Sequence, residues 1–159
     1  MRKHVVAALM AVTLVPLAAC GGGAPTTDEV SYTIDQQVTA LVVGARAASV
    51  EIDAGAGPVT VTETYKYSDA KPSTAHEVQG GTLRLTESGC GNDEVRCETR
   101  YRIRMPATTS TQITAQAGAV KVNGVTGDVH ITTEAGAVEG TALAGETVIV
   151  TTQAGAASL

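Results

Sequence analysis

The chain contains no phenylalanine and no tryptophan, and its large aromatics are four tyrosines at positions 32, 65, 67 and 101. A thick globular core usually draws on such rings, so the composition points to a narrow core of Val, Ile, Leu and Ala. Charge is sparse, 17% of residues, and tilts acidic. A net-acidic chain is a poor candidate for nucleic-acid binding, which calls for basic patches. The apolar run from Val5 to Leu17 stops at 13 residues, short of the roughly 18 that a membrane-spanning helix needs. Cysteine is confined to positions 20, 90 and 97, and after the N-terminus histidine occurs only at 76 and 130. There is no Gly-x-Ser-x-Gly elbow and no His-Glu-x-x-His helix. Without a recognisable set of acid, base and nucleophile, an enzyme is not expected.

What is present begins with Arg2 and Lys3, then the apolar run broken only by Thr13 and Pro16, then small residues. That is the layout of a secretory signal. Leu17-Ala18-Ala19-Cys20 resembles the bacterial lipobox, in which a peptidase cuts before a lipid-modified cysteine. The resemblance implies a leader over 1–19 and a lipid on Cys20, whose acyl chains contribute about 0.8 kcal/mol per buried methylene. It implies anchorage to the cell membrane on its extracytoplasmic face. From Cys20 to Leu159 the chain has 140 residues, one domain's worth. The leader carries two of the 11 basic residues and none of the 16 acidic ones, which leaves a net charge of −7. Residues 20–29 are rich in Gly, Pro and Thr and lack periodicity, so a flexible tether is expected there. The ordered domain is expected over 30–159.

Beyond Cys20, Cys90 and Cys97 remain as an even pair in an oxidising compartment, and a disulfide is expected. A metal site is not, because zinc motifs need further Cys or His ligands nearby. If the two cysteines faced each other in a simple antiparallel hairpin, Leu85 would oppose Arg102 and share its face, against the apolar pattern. Either a bulge intervenes, or the flanking strands are not neighbours and the disulfide pins a protruding loop.

Period-2 alternation recurs along the chain, as in Val59-x-Val61, Leu83-x-Leu85, Tyr101-x-Ile103-x-Met105, Val120-x-Val122 and Val129-x-Ile131, which predicts an all-β fold. An internal repeat then narrows the architecture. Ile113-Thr-Ala-Gln-Ala-Gly-Ala-Val120, Ile131-Thr-Thr-Glu-Ala-Gly-Ala-Val138 and Val150-Thr-Thr-Gln-Ala-Gly-Ala-Ala157 align, and Val50 to Val59 reads as a degenerate earlier copy. Glycines 118, 127, 136, 145 and 155 punctuate the series. The expected architecture is a parallel β-helix or β-solenoid with coils of about 18 residues, preceded by a less regular β part. The alternative is an antiparallel β-sandwich, whose strands recur at similar spacing. In the solenoid, Val138 points inward between Val120 and Ala157, with Val129 and Val148 on the opposing sheet, while Glu139 faces solvent.

Three polar patterns are candidate sites. Gly127-Asp128 is the nearest approach to a calcium β-roll repeat, but the dense ligand set that calcium wants is missing; Asp128 is expected to accept bonds within its own turn. Gln116, Glu134 and Gln153, with Asp53, are expected to form a polar ladder along one edge, bonded to turn backbone. Arg100, Arg102 and Arg104 alternate with Tyr101, Ile103 and Met105, so three guanidinium groups share one strand face. With Arg84 and Arg96 they form a candidate site for an anionic envelope polymer or phospholipid headgroups. The competing reading is a solvated face balanced by Glu87, Glu94 and Glu98.

Tyr101-Arg-Ile-Arg-Met-Pro106 together with the Ala-Gly-Ala-Val and Val-Thr-Gly-Asp-Val repeats resembles the bacterial putative-adhesin domain family, over roughly residues 48–159. The resemblance implies an extracytoplasmic β-helix or β-roll of largely unassigned function. It departs from a complete solenoid in showing no polar cap near Leu159. The expected function is a non-enzymatic envelope lipoprotein, with the membrane, and an envelope polymer or surface protein, as partners and no cofactor. The alternatives are a binding lipoprotein for an anionic envelope ligand and a polysaccharide-active β-helix enzyme.

Overall fold

The computed structural model describes residues 24–91 and 96–159. The leader, Cys20 and Glu94 fall outside them. The described chain is all-β, with twelve strands and no helix. They are β1 (Thr26–Ile34), β2 (Ala40–Ala54), β3 (Val59–Tyr67), β4 (Thr74–Gln79), β5 (Thr82–Glu87), β6 (Cys97–Met105), β7 (Ser110–Ala117), β8 (Val120–Asn123), β9 (Val129–Ala135), β10 (Val138–Thr141), β11 (Val148–Ala154) and β12 (Ala157–Ser158).

The strands form one mixed sheet organised around β2, whose 15 residues serve two ladders. Its first half, Ala40 to Ala47, lies between β5 and β7. Its second half, Ala48 to Ala54, lies between β6 and β8. All four of these pairings are parallel, which excludes the purely antiparallel sandwich. From β7 and β8 onward the parallel pairing continues: β7, β9 and β11 extend one ladder, and β8, β10 and β12 the other. Antiparallel pairing is confined to the other side, where β4 covers β5, β3 covers β6 and β1 covers β3. The sheet is therefore mixed, where the expectation was a parallel β-helix or β-solenoid preceded by a less regular β part.

Alternation sets which side chains turn inward. Leu41, Val43, Ile113, Val129 and Ile131 from one ladder meet Val50, Ile52, Ile103, Val120, Val122 and Val138 from the other in a single buried cluster. These are β-branched or leucine side chains of modest reach, and they fill a thin interior without large rings. The register is the one the repeat implies: Ile113 pairs Ile131, which pairs Val150, and Val120 pairs Val138, which pairs Ala157. Val138 is 2% exposed, and Val148 pairs Val129 in the opposite ladder.

Two findings correct the sequence reading. β1 begins at Thr26, so the last four residues assigned to the tether are strand. They are held because Tyr67 donates to Asp28 (2.8 Å), Thr64 to Glu29 (3.2 Å), and Lys71 pairs Asp28 (3.6 Å). Second, the early repeat copy is offset. Val50 pairs Val120, so Asp53 pairs Asn123 and does not join Gln116. The residue at Gln116's level is Arg46, because Ala45 pairs Ala115 and Ala47 pairs Ala117.

Candidate functional site

β6 carries the three arginines on its outer face, between β3 and the second half of β2. All three are exposed. They do not stand as an isolated cationic stripe. Arg102 pairs in register with Glu51, and its Nε lies 3.5 Å from the Glu51 carboxylate. Arg100 reaches Glu98 at 3.7 Å. Arg104 pairs in register with Asp53. The row continues across the sheet: Glu51 pairs Lys121, Lys121 pairs Glu139 at 3.1 Å, and Glu139 pairs Ser158. The signs alternate strand by strand, which is the favourable arrangement for cross-strand neighbours. Of the acids expected to balance the arginines, Glu98 does so. Glu87 does not, because it is buried elsewhere. Arg84, on β5, pairs Glu77 at 3.8 Å.

Beside that row Asn123 donates to Asp53 (3.3 Å) and Thr141 donates to Asn123 (3.0 Å), a short polar column at the end of the same strands. Gln116, Glu134 and Gln153 do line one edge and are exposed. Among the described residues no hydrogen bond joins them to each other or to a turn. The turns are satisfied by backbone instead: Gly118 N–H donates to Ala135 C=O, and Gly136 N–H to Ala154 C=O. Asp128 likewise acts outside its own turn. It accepts from the Thr147 N–H at 2.9 Å, and Thr147 C=O in turn accepts from Val129 N–H. That clasp absorbs the residue by which the last repeat is longer.

The polar group that sequence reasoning missed is Glu63. It occupies an inward position of β3, in phase with Val59, Val61 and Tyr65, and is 3% exposed. Its carboxylate accepts from the hydroxyls of Tyr32 (2.5 Å), Tyr65 and Thr74 (2.8 Å). Tyr101 pairs with it across the ladder, is fully buried, and donates to Thr86 C=O at 3.4 Å. Three of the four tyrosines thus gather at one end of the molecule, between β1, β3 and β6 on one side and β4 and β5 on the other. His76 of β4 stacks on Tyr32 with centroids 4.2 Å apart, and Lys71 lies over the Tyr65 ring. Burial, then the Glu63 carboxylate, pushes the Tyr65 hydroxyl up to about 12. The same two causes raise Tyr32 further, and burial followed by Glu63 and Glu87 raises Tyr101. The sequence signal was available: an acid in the apolar phase of an alternating strand.

Glu87 is a second buried carboxylate, and it holds backbone. It accepts from the N–H groups of Arg46 and Ala47 (both 2.9 Å) and of Gly89. Arg46 and Ala47 form the corner where β2 passes from one ladder to the other. Nearby, Cys90 and Cys97 are disulfide-bonded, with Cα atoms 5.9 Å apart. Of the two geometries open from the sequence, the second holds: β5 and β6 lie in different ladders on either half of β2, and the disulfide closes the loop between them. Among the described residues no group of His, Cys, Asp or Glu is arranged to hold a metal.

Recesses in the surface of the described residues include the following. One of about 340 Å³ is lined by Asp35, Gln36, Gln37, Thr39, Pro58 and Thr108, among others. Two of about 240 Å³ lie beside Asp128 and His130, and beside Glu77 and Arg84. Each has a single carboxylate in its lining, not the facing pair that glycoside hydrolysis uses.

Among solved structures, the fold is similar to that of a putative cell adhesion protein from Clostridium sporogenes, with a TM-score of 0.57 at 9% identity, covering 83% of this chain and 98% of that one. A putative adhesin from Parabacteroides distasonis aligns with a TM-score of 0.41 at 12% identity, over 86% of this chain and 68% of that one. A putative lipid binding protein from the same species aligns with a TM-score of 0.42 at 17% identity, over 84% and 61% respectively. No family model matches the chain, and no curated protein matches it. The likeness to the Clostridium sporogenes protein is one of fold.

Proposed function

We propose that this chain is a non-enzymatic envelope lipoprotein: a β-solenoid held outside the cytoplasmic membrane by a lipid on Cys20 and acting as an adhesin-like interaction module. The observation that carries the reading is the unbroken parallel register from β2 to β12, in which each coil stacks its inward residues on those of the coil before. Such a stack buries a continuous core and leaves long outer faces free for contacts. The antiparallel strands β1, β3 and β4 cover one end, the role that terminal elements play in repeat proteins. Supporting the anchor is the Leu17-Ala-Ala-Cys20 sequence after a short apolar run. Supporting the adhesin-like role is the fold likeness to the Clostridium sporogenes cell adhesion protein. The partners of the module are the membrane, through Cys20, and an envelope polymer or surface protein.

The ligand-binding alternative through Arg100, Arg102 and Arg104 has less support, because Glu98 and Glu51 already answer two of the three. The polysaccharide-active alternative has less still, because Glu63 and Glu87 are buried and fully occupied by internal donors. Metabolic labelling with a fatty-acid probe tests the anchor: label is expected on the wild-type chain and lost on Cys20→Ala, and label that persists on the variant sinks the claim. Binding of the lipid-free domain to intact envelopes tests the module; binding no greater than that of unfolded protein overturns it.

A further inference from the structure

Thr26, where β1 begins, comes six residues after Cys20. Fully extended, six residues reach at most about 21 Å. β1 then runs to Ile34, eight steps of about 3.4 Å or roughly 27 Å in all. Pairing shows which parts of the domain lie at each end of that strand. Thr26 pairs Tyr67, and Tyr67 pairs Cys97. Cys97 precedes by two residues the Thr99–Ala48 pair, so the corner of β2 at Arg46 is on the same edge. Gln116, Glu134 and Gln153 continue that edge coil by coil. This is the near rim. At the other end Ile34 pairs Val59, and β6 and β8 finish at Met105 and Asn123. The turns that follow make the far rim, which includes the 340 Å³ recess beside Asp35, Gln37 and Thr108 and the exposed Glu146.

For the far rim to rest on the bilayer, Thr26 would have to stand about 27 Å above it, farther than a tether of about 21 Å allows. We infer that, of the two rims, the near one is turned towards the lipid headgroups and the far one away from them. The inference rests on the Cys20 anchor proposed above and adds to it a direction. The tether and β1 are continuous, so orientation follows from chain length and needs no adhesive patch on the rim itself. The near rim is a line of small and polar residues, among them Arg46, Gln116, Ala117, Glu134, Ala135 and Gln153, all exposed and suited to lie beside hydrated headgroups without inserting.

The test uses the full acylated chain in phospholipid vesicles that contain a headgroup-attached spin label. A fluorophore is placed at Glu134→Cys or at Glu146→Cys, both exposed and outside ion pairs, in adjacent coils on opposite rims. Quenching several-fold stronger at 134 than at 146 is expected. Equal quenching, or stronger quenching at 146, overturns the orientation. Mass spectrometry of the same samples reports the acyl group: a chain without it overturns the anchor and the inference with it, whereas an acylated chain with equal quenching overturns the orientation alone. The Cys20→Ala chain should show no quenching at either position, and quenching there would overturn the inference as well, since something other than the tether would be bringing the domain to the lipid.

Discussion

Val138 stands in register with Val120 one repeat earlier and with Ala157 one repeat later, and its side chain is enclosed between the two ladders. Its neighbour Glu139 points the other way and holds Lys121 at 3.1 Å. Val138→Asp would bury a carboxylate with no partner, at a cost of several kcal/mol. Glu139→Gln removes an exposed ion pair and should cost under about 0.5 kcal/mol. Glu139→Lys sets two like charges side by side across the ladder and should cost somewhat more, up to about 1 kcal/mol. Urea unfolding of the three variants checks the order; equal tolerance of the changes at 138 and 139 would mean that the coil register is wrong.

Glycine is required where one turn sits on the next. Gly136 has φ +149°, and a Cβ there would collide with the Gly118 carbonyl. One repeat later Gly155 meets Gly136 in the same way. Neither backbone can retreat without breaking the pairing, so Gly136→Ala should cost about 3 kcal/mol or more. Gly57 also has positive φ, +98°, but its Cβ direction is open. Gly57→Ala should cost only the left-handed backbone penalty, about 1–2 kcal/mol. Thermal unfolding compares the two. A smaller loss at 136 than at 57 would show that contact between turns is not what selects glycine.

The Glu63 cluster predicts alkaline sensitivity. The Tyr65 hydroxyl is raised to about 12 and those of Tyr32 and Tyr101 are raised as well, whereas in the unfolded chain a tyrosine titrates near pH 10. A raised folded value means that the stabilisation is complete below about pH 10 and is lost as pH climbs through the folded values. Circular dichroism and tyrosinate absorbance should therefore change together above about pH 10. Tyrosinate that forms fully at an ordinary pH while the fold persists would contradict the cluster.

Removing the acceptor tests the same group near neutrality. Glu63→Ala leaves the Tyr32 hydroxyl without a partner, while those of Tyr65 and Thr74 keep only each other, 2.9 Å apart. At about 1–3 kcal/mol for each buried polar group left unpaired, the variant should be among the least stable single substitutions. Glu63→Gln keeps one acceptor oxygen and should lose less. Equal stability of the wild type and the alanine variant in denaturant would rule out a structural role for the carboxylate.

The disulfide closes a short loop, so its removal should cost a modest amount, about 2–3 kcal/mol. The paired variant Cys90→Ser, Cys97→Ser should unfold earlier in urea yet keep its β signature, because β5 and β6 are each held by β2. A thiol count on the denatured, unreduced chain should find neither Cys90 nor Cys97 free. Loss of all β structure in the serine variant would mean that the loop organises both ladders.

By itself the sequence determined the all-β class, the inward residues of β7 to β11, the disulfide and the register between repeats, because alternation and an 18-residue repeat are local signals that a reader can align. It did not reveal that the middle of β2 carries a further copy of the repeat, in register with β7 and β8. Val43-Gly-Ala-Arg-Ala-Ala-Ser-Val50 fits the repeat but has Ala48 where the others have glycine. Ala48 tolerates its Cβ because its neighbour is Thr99 in strand β6 and not another turn. Nor did it show that β5 and β6 lie on the far side of β2 from β7 and β8, since a parallel pairing between distant segments leaves no mark at either one. The tertiary structure alone decided that order. It also decided the fate of the charged candidates: Arg102 is answered by Glu51, a residue 51 positions away. Glu63, which alternation places inside, is kept there by the hydroxyls of Tyr32, Tyr65 and Thr74, which come together only when β4 packs against β1 and β3.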